Sequence, residues 1–485
     1  MLHDWAVQYG STFSVRGMLG NFQLITTDAR ANAHILFASH VFRKPAEHRR
    51  AMVDLFGEGL TNAQEFLPPK ACDQHRNQRR IINPAFGFAH VREMTEVFLE
   101  KAALLRDIWH RKCMDAGGTA RVDALYWVSK ATLDIIGKAG FDYEFGALNE
   151  NGPKSELAAV FQALFHDHST PLQHAVALLY RQFPPNGHAR ATDSSRRKMD
   201  EIGRRIVQEK KRAVLEDIDL GTIAKDAIGG KDLISLLLRA NLAFDLEPSQ
   251  CLSDEEVLAQ IPTFIAAGES RHETTSTSTT WAMYALASHP EVQAKLRTEL
   301  HEIGTEAPTL DMLNALPYLD HVVRETLRLY SVFSLISREA VQDDVIPLGA
   351  PIRDTNGALQ HNIMVKKGDQ VQIPVLLINK STVIWGADAD GFRPERWENI
   401  SAQAASIPGV APNLMTFIGG PRACVGHRFA VAEMKALLFH IVCGFEFRLA
   451  VEPSEIWSRT GVIKRLPQLR KDNSVQLPVY LTPIS

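Results

Sequence analysis

Cysteine is scarce in this chain: five in 485 residues, at 72, 113, 251, 424 and 443. An odd, sparse set argues against a disulfide framework and for a reducing compartment. No run approaches the roughly 18 apolar residues of a membrane span. The polar start, Met1-Leu-His-Asp-Trp5, carries no signal-peptide pattern. Low-complexity tracts, internal repeats and obvious linkers are also missing. Strong net charge is missing too: the balance is −3, so no bulk attraction to nucleic acid is expected. What remains is ordinary globular composition, 45% hydrophobic and 22% charged. Length alone would suggest about three domains. With nothing to divide the chain, one mostly helical domain over 1–485, with a small β region, fits better. Such a chain can bury a core that encloses a cofactor.

The residues are organised around Phe417-Ile-Gly-Gly-Pro-Arg-Ala-Cys424-Val-Gly426, which precedes an amphipathic run from Phe429 to Phe447. Glycines at 419, 420 and 426 let the backbone turn with positive φ. Peptide N–H groups near a helix N-terminus favour a thiolate at Cys424. A lone cysteine is more often a small buried hydrophobe. Cys424 is not alone, because Phe417, Gly420, Arg422, Cys424 and Gly426 fit F-x-x-G-x-R-x-C-x-G. At average residue usage such a match arises by chance on the order of once in ten thousand chains of this length.

This loop resembles the haem-binding loop of cytochrome P450 enzymes, fungal microsomal members in particular. Glu325-Thr-Leu-Arg328 fits that family's E-x-x-R, and Phe392-Arg-Pro-Glu-Arg396-Trp397 fits its F-x-P-E-R-W segment. Order and spacing match over nearly the whole chain. The resemblance implies a mainly α fold with haem b between a long distal helix and the cysteine-loop helix. It makes Cys424 the iron ligand, with Phe417, Arg422 and Gly426 shaping the loop.

From the residues alone, Glu325 and Arg328 stand on one helix face and could be an exposed pair worth at most about 1 kcal/mol. One carboxylate can also accept two guanidinium forks. With Arg396 added, we read Glu325, Arg328 and Arg396 as a buried structural clamp that holds the loop before Cys424.

His75 and Arg79, at i and i+4 in a helix starting near residue 75, read as a solvated basic face. The resemblance instead assigns them to a haem propionate, with His75 in place of the usual Trp. Arg338, thirteen residues after Glu325, takes a second propionate role by the same resemblance. Ser331 departs from the family's usual Pro.

Hydrophobic alternation predicts strands at Thr12–Val15 and Phe22–Thr27 around a Leu19-Gly20-Asn21 turn, with Asp28 capping a helix over Ala29–Ala38. Residues 40–72 read as irregular, and Glu65–Cys72 as an insertion relative to the family. Helical runs follow at about 91–116, 122–139, 155–168, 171–182 and 194–216, broken by Phe183-Pro-Pro-Asn-Gly187. By resemblance that turn faces the membrane and the substrate entrance. Ser253-Asp-Glu-Glu256 is a capping box opening the longest helical pattern, which His289-Pro290 ends. Leu316-Pro317 starts the helix of Glu325. Strands are predicted at Ser337–Val341, His361–Val365 and Gln370–Pro374, the last two joined by a Lys367-Gly368-Asp369 turn.

Inside the long helix lies Ala266-Ala-Gly268-Glu-Ser-Arg271-His-Glu273-Thr274-Thr-Ser276. Helical Thr and Glu ordinarily mean a back-bonded hydroxyl and a solvated carboxylate. By resemblance, Glu273 and Thr274 relay protons towards the oxygen site. The family's small residues sit three positions too early here, as though Glu269–Arg271 were inserted.

The resemblance thus implies a monooxygenase that uses NADPH-derived electrons on an apolar substrate lying near Phe264, Ala267, Val332, Phe333 and Leu335. It implies a diflavin NADPH–cytochrome P450 reductase contacting Arg76 or Arg80, cytochrome b5 as a further donor, and a role in secondary metabolism. It also implies residence at the cytosolic face of the endoplasmic reticulum, through an N-terminal anchor apparently absent from this sequence. The alternatives are a haem-thiolate isomerase or dehydratase, and a haem-binding protein impaired by the insertion.

Overall fold

A computed structural model describes residues 2–17, 22–56, 59–63, 74–150, 152, 155, 186–219, 232–241, 251–261, 264, 274–354, 356–460 and 465–484. It divides into two compact units. The first comprises Met1–Ala51, Trp109–Ala124 and Thr277–Ser485; the second comprises Met52–Ile108 and Leu125–Ser276.

The first unit holds the cysteine loop and, among the described residues, all the strands. Strands Thr12–Arg16, Phe22–Thr26, Gln370–Ile373, Ile336–Ala340 and Phe42–Arg43 lie side by side in that order. The first two pair antiparallel, Thr12 opposite Thr26, as the alternation predicts; the turn residues 18–21 lie outside the described set. Phe22–Thr26 runs parallel to Gln370–Ile373. Asp28 caps the helix Ala29–Phe37 by accepting from Ala31 N at 2.9 Å. The same carboxylate accepts from Gly349 N and Ala350 N, which ties this helix to the strand Asp344–Arg353. That strand pairs with Leu359–Val365 and has no counterpart in the sequence reading.

Two helices form the middle of the first unit. Pro317–Leu329 begins with Pro at its first turn, as expected. Glu299 receives Tyr318 N and Leu319 N at 2.7 and 2.8 Å and so satisfies two orphan donors of that turn. His427–Gly444 is buried almost all round, from Phe429 through Val442, as a helix in the centre of a core must be.

The second unit is helical. Phe88–Asp115 as far as Ile108, Ala124–Phe141 from Leu125, and all of Asn186–Asp219 contribute its long helices. Gly137 allows close packing, because a Cβ there would meet the Phe145 ring at 2.3 Å. The Asp134 carboxylate accepts from Ala147 N and Leu148 N. Burial nevertheless pushes its pKa above the ordinary carboxylate value.

Several expectations are corrected. Residues 40–72 are not irregular throughout: Phe42–Arg43 is a strand and Ala46–Phe56 a helix. Pro45, whose carbonyl accepts from Arg49 N, marks that helix start and is outweighed in the sequence by the glycines and prolines downstream. The run from 122 opens as a strand, Ala120–Asp123, before turning helical. The capping box at Ser253 is present in full and opens the helix Asp254–Leu258; after a turn at Ala259 helix is described again at 260–261 and 264 and from Thr274 to Ser288. The longest described helix is Asn186–Asp219, 34 residues. It absorbs Asn186 and Gly187 of the supposed interrupting turn. The runs 155–168 and 171–182 and the insertion Glu65–Cys72 lie outside the described residues, apart from Ser155.

Candidate functional site

The cysteine loop is held by its own backbone. Cys424 N donates to Phe417 O at 2.9 Å, Ala423 N to Gly420 O at 3.0 Å, and Ile418 N to Met415 O at 2.8 Å. Val410 N reaches across to Ile418 O at 2.8 Å. Of the three glycines, only Gly420 takes positive φ, 72°. Gly426 sits at φ −88° as the N-cap of His427–Gly444. The other left-handed residue is Ile418, φ 60°, an uncommon state for a β-branched side chain. Gly419 is needed for space: a Cβ would lie 1.7 Å from Pro408 O. At Gly420 it would lie 2.4 Å from Leu36 O. The loop is thus wedged between two backbone segments.

Within this loop Cys424 is exposed, while Phe417, Arg422 and Gly426 are half-buried. The sulfur stands three residues before the first residue of a helix, whose positive end favours an anion. The His427 ring meets Cys424 O at 3.2 Å and lies 6.1 Å from the Phe417 ring. An accessible soft sulfur on a hydrogen-bonded loop would suit a haem iron.

The structure brings Glu325, Arg328 and Arg396 together in the core. Glu325 and Arg328 are completely buried and Arg396 is 6% exposed, so the exposed-pair reading fails. Arg328 makes a bidentate fork, Nε to Glu325 Oε2 at 2.9 Å and Nη2 to Oε1 at 2.8 Å. Arg396 gives Glu325 one longer bond, Nε to Oε1 at 3.4 Å. Its remaining donors go to Trp385 O, Asp388 O and Asp388 Oδ1. The expected double fork is therefore a single fork with a brace.

Two further donors reach Glu325 that sequence reading missed: Trp397 Nε1 at 3.0 Å and Arg393 N at 3.0 Å. Tryptophan within the F-x-P-E-R-W segment was a signal for the first of these. Arg328 Nη1 donates to Asn379 O and Ala389 O, and the second N–H of Nη2 to Gly391 O. Five donors on one buried carboxylate keep its charge compensated.

Arg338 is 5% exposed on the strand Ile336–Ala340 and donates through Nη1 to Ser337 O. Ser331 is buried and donates to Phe333 O at 2.8 Å. Val332 is core, Phe333 half-buried and Leu335 40% exposed.

In the second unit His75 is 4% exposed and Arg79 half-buried on the helix Gln74–Ile82. Arg79 Nε donates to Asn83 Oδ1 at 2.7 Å. Burial removes the solvated-face reading for His75; Arg76 and Arg80 are the exposed members of that helix. Phe264 is buried and packs edge-on to Phe86. Thr274 is half-buried at the first position of its helix. Glu273, Ala267 and the supposed insertion Glu269–Arg271 lie outside the described residues.

The sequence model of one family, Cytochrome P450, matches residues 3–469. "Cytochrome P450 monooxygenase 205" of Postia placenta is 45% identical over 490 aligned positions, which cover 100% of this chain and 88% of the relative. "Cytochrome P450 monooxygenase 128" of the same fungus is 43% identical, covering 99% of this chain and 87% of the relative. "Cytochrome P450 monooxygenase claP" of Ampulloclitocybe clavipes is 34% identical, covering 92% and 80% respectively.

Proposed function

Because the chain belongs to the cytochrome P450 family and is a haem-thiolate monooxygenase that binds haem b, we propose that it inserts one atom of dioxygen into an apolar small molecule, with electrons drawn from NADPH. The observation that carries this reading is the Phe417–Gly426 loop, which presents an exposed cysteine on a backbone packed too closely against Pro408 and Leu36 to admit a side chain at Gly419 or Gly420. Haem b, when bound through a thiolate, supplies dioxygen activation and favours O–O cleavage.

The chain's own residues hold, orient and exclude. Cys424 supplies the sulfur ligand, and Phe417 and Gly426 shape the loop behind it. By the family resemblance, Arg79, Arg338 and Arg422 would neutralise the haem carboxylates and His75 would hydrogen-bond to one; an arginine fork suits a carboxylate. Glu325, Arg328 and Arg396 hold the segment that leads into the loop. Glu273 and Thr274 move protons at the oxygen side, Thr274 through its hydroxyl. Phe264, Ala267, Val332, Phe333 and Leu335 contribute to an apolar substrate wall. The 1–485 chain acts as a single catalytic domain, a reading supported by one family model running through both compact units.

The electron donor is a diflavin NADPH–cytochrome P450 reductase, with cytochrome b5 as a second source. The exposed Arg76 and Arg80 supply positive charge for docking. The substrate class belongs to secondary metabolism, and the enzyme works at the cytosolic face of the endoplasmic reticulum membrane. No helix among the described residues is long and apolar enough to cross a membrane. Fractionation of native cells tests this, and recovery only in the cytosol would count against it.

The decisive experiment measures NADPH consumption and product mass with purified reductase and a substrate found by its shift of the haem spectrum. Oxygenated product confirms the monooxygenase. Turnover of a peroxide without reductase would instead identify an isomerase or dehydratase. Haem binding with no turnover of either kind would identify a protein impaired near Glu269–Arg271.

A further inference from the structure

The clamp around Glu325 and the loop carrying Cys424 are separate in sequence, and something must transmit one to the other. We propose that Asn379 and Thr416 are the positioning residues that do so. This rests on Cys424 being the haem ligand. Asn379 is fully buried at the end of the short helix Val375–Asn379. Three of its polar groups are engaged, one with the clamp and two with the segment that enters the cysteine loop. Its carbonyl accepts from Arg328 Nη1 at 2.8 Å. Its Oδ1 accepts from Met415 N at 3.3 Å, and its Nδ2 donates to Thr416 Oγ1 at 2.9 Å.

The Thr416 hydroxyl then donates to Leu327 O at 2.8 Å, so it both accepts and donates. Leu327 is the residue before Arg328, and Thr416 the residue before Phe417, whose carbonyl receives Cys424 N. A continuous route therefore runs from the Glu325 carboxylate through Arg328, Asn379 and Thr416 to the peptide that closes the cysteine loop. No charge moves along it; it fixes where the loop starts. A network of this kind holds a ligand's geometry only when every member is satisfied.

The hydroxyl is the element that can be removed without touching the clamp. Thr416→Val keeps the shape and deletes both bonds of Oγ1. Thr416→Ser keeps both bonds. Asn379→Ala removes both side-chain contacts, to Met415 N and Thr416 Oγ1, but risks the fold, so Thr416→Val is the primary variant. The readouts are the carbon-monoxide spectrum of the reduced holoprotein, which separates thiolate from thiol ligation, and the haem midpoint potential.

In the soluble, folded fraction of Thr416→Val we expect the thiolate-type share of that spectrum to fall at least twofold and the potential to shift. Thr416→Ser should restore both. An unchanged spectrum and potential in Thr416→Val, with the wild-type protein showing thiolate ligation, would overturn the proposal while leaving the haem-thiolate reading intact. So would a general loss of stability with the spectrum of the remaining folded protein unaltered. If the wild-type protein itself shows no thiolate band, the haem-thiolate reading fails first.

Discussion

At Gly419 a methyl group has nowhere to go. Its ideal position is 1.7 Å from the Pro408 carbonyl oxygen, and backbone on both sides resists movement. Gly419→Ala should cost roughly 1–3 kcal/mol or more, read by denaturant unfolding, with a parallel loss of haem content. Gly420→Ala adds a left-handed φ penalty of about 1–2 kcal/mol to its own clash with Leu36. Ile418 already carries such strain, which is tolerated where surrounding contacts over-determine the backbone. Cys424→Ser should abolish the reduced carbon-monoxide band of thiolate ligation. Survival of that band in the folded variant would mean that another residue binds the iron.

Between elements, the clamp joins the helix Pro317–Leu329 to the 3-10 turn Pro394–Glu398. Arg328→Ala strands the Glu325 charge in a site with no solvent, at roughly 3–5 kcal/mol. Trp397→Phe removes one of five donors while keeping the aromatic packing against Trp385. Its cost should be smaller, about 1–3 kcal/mol. Comparing the two unfolding curves checks that order.

Asp388 adds a pH dependence. Its hydrogen bond from Arg396 holds the carboxyl below its ordinary 3.8. A depressed acid contributes stability that is complete above that ordinary value and is lost as pH falls through the depressed one. The Asp388 contribution is therefore complete near neutrality, and Asp388→Asn should flatten acid unfolding below about pH 4. Because the Asp388 side chain is 42% exposed, solvent screening keeps this effect modest.

For the molecule as a whole, catalysis depends on coupling electron supply to product. Thr274→Ala should raise peroxide release per NADPH consumed while substrate binding persists, measured with reductase present. Deleting Glu269–Arg271 should preserve or improve coupling. Three residues advance a helix by about 300° and about 4.5 Å, so the deletion tests which register the distal residues need. Unchanged coupling in Thr274→Ala, or loss of oxygen activation on deletion, would show that the distal register is wrong.

Local signals in the chain determined much of this protein. The five-position cysteine motif, Glu325 and Arg328 one turn apart, Pro317 at a helix start, Asp28 as a cap and the strand pair from Thr12 were all readable. Each depends on neighbours within a few residues, where backbone geometry and covalent spacing decide the outcome. Ala46–Phe56 was misread because breakers downstream outweighed its own start signal.

Tertiary structure alone decided which glycine had to be small and which had to turn, because that depends on Pro408 and Leu36, remote in sequence from the wall they build. It decided that Arg396 braces rather than forks, and that Trp397 completes the shell of Glu325. It also brought Asn379 to Thr416 across 37 positions. An isolated asparagine and threonine carry no spacing that could announce such a bond, since their roles come from partners that only the folded core assembles.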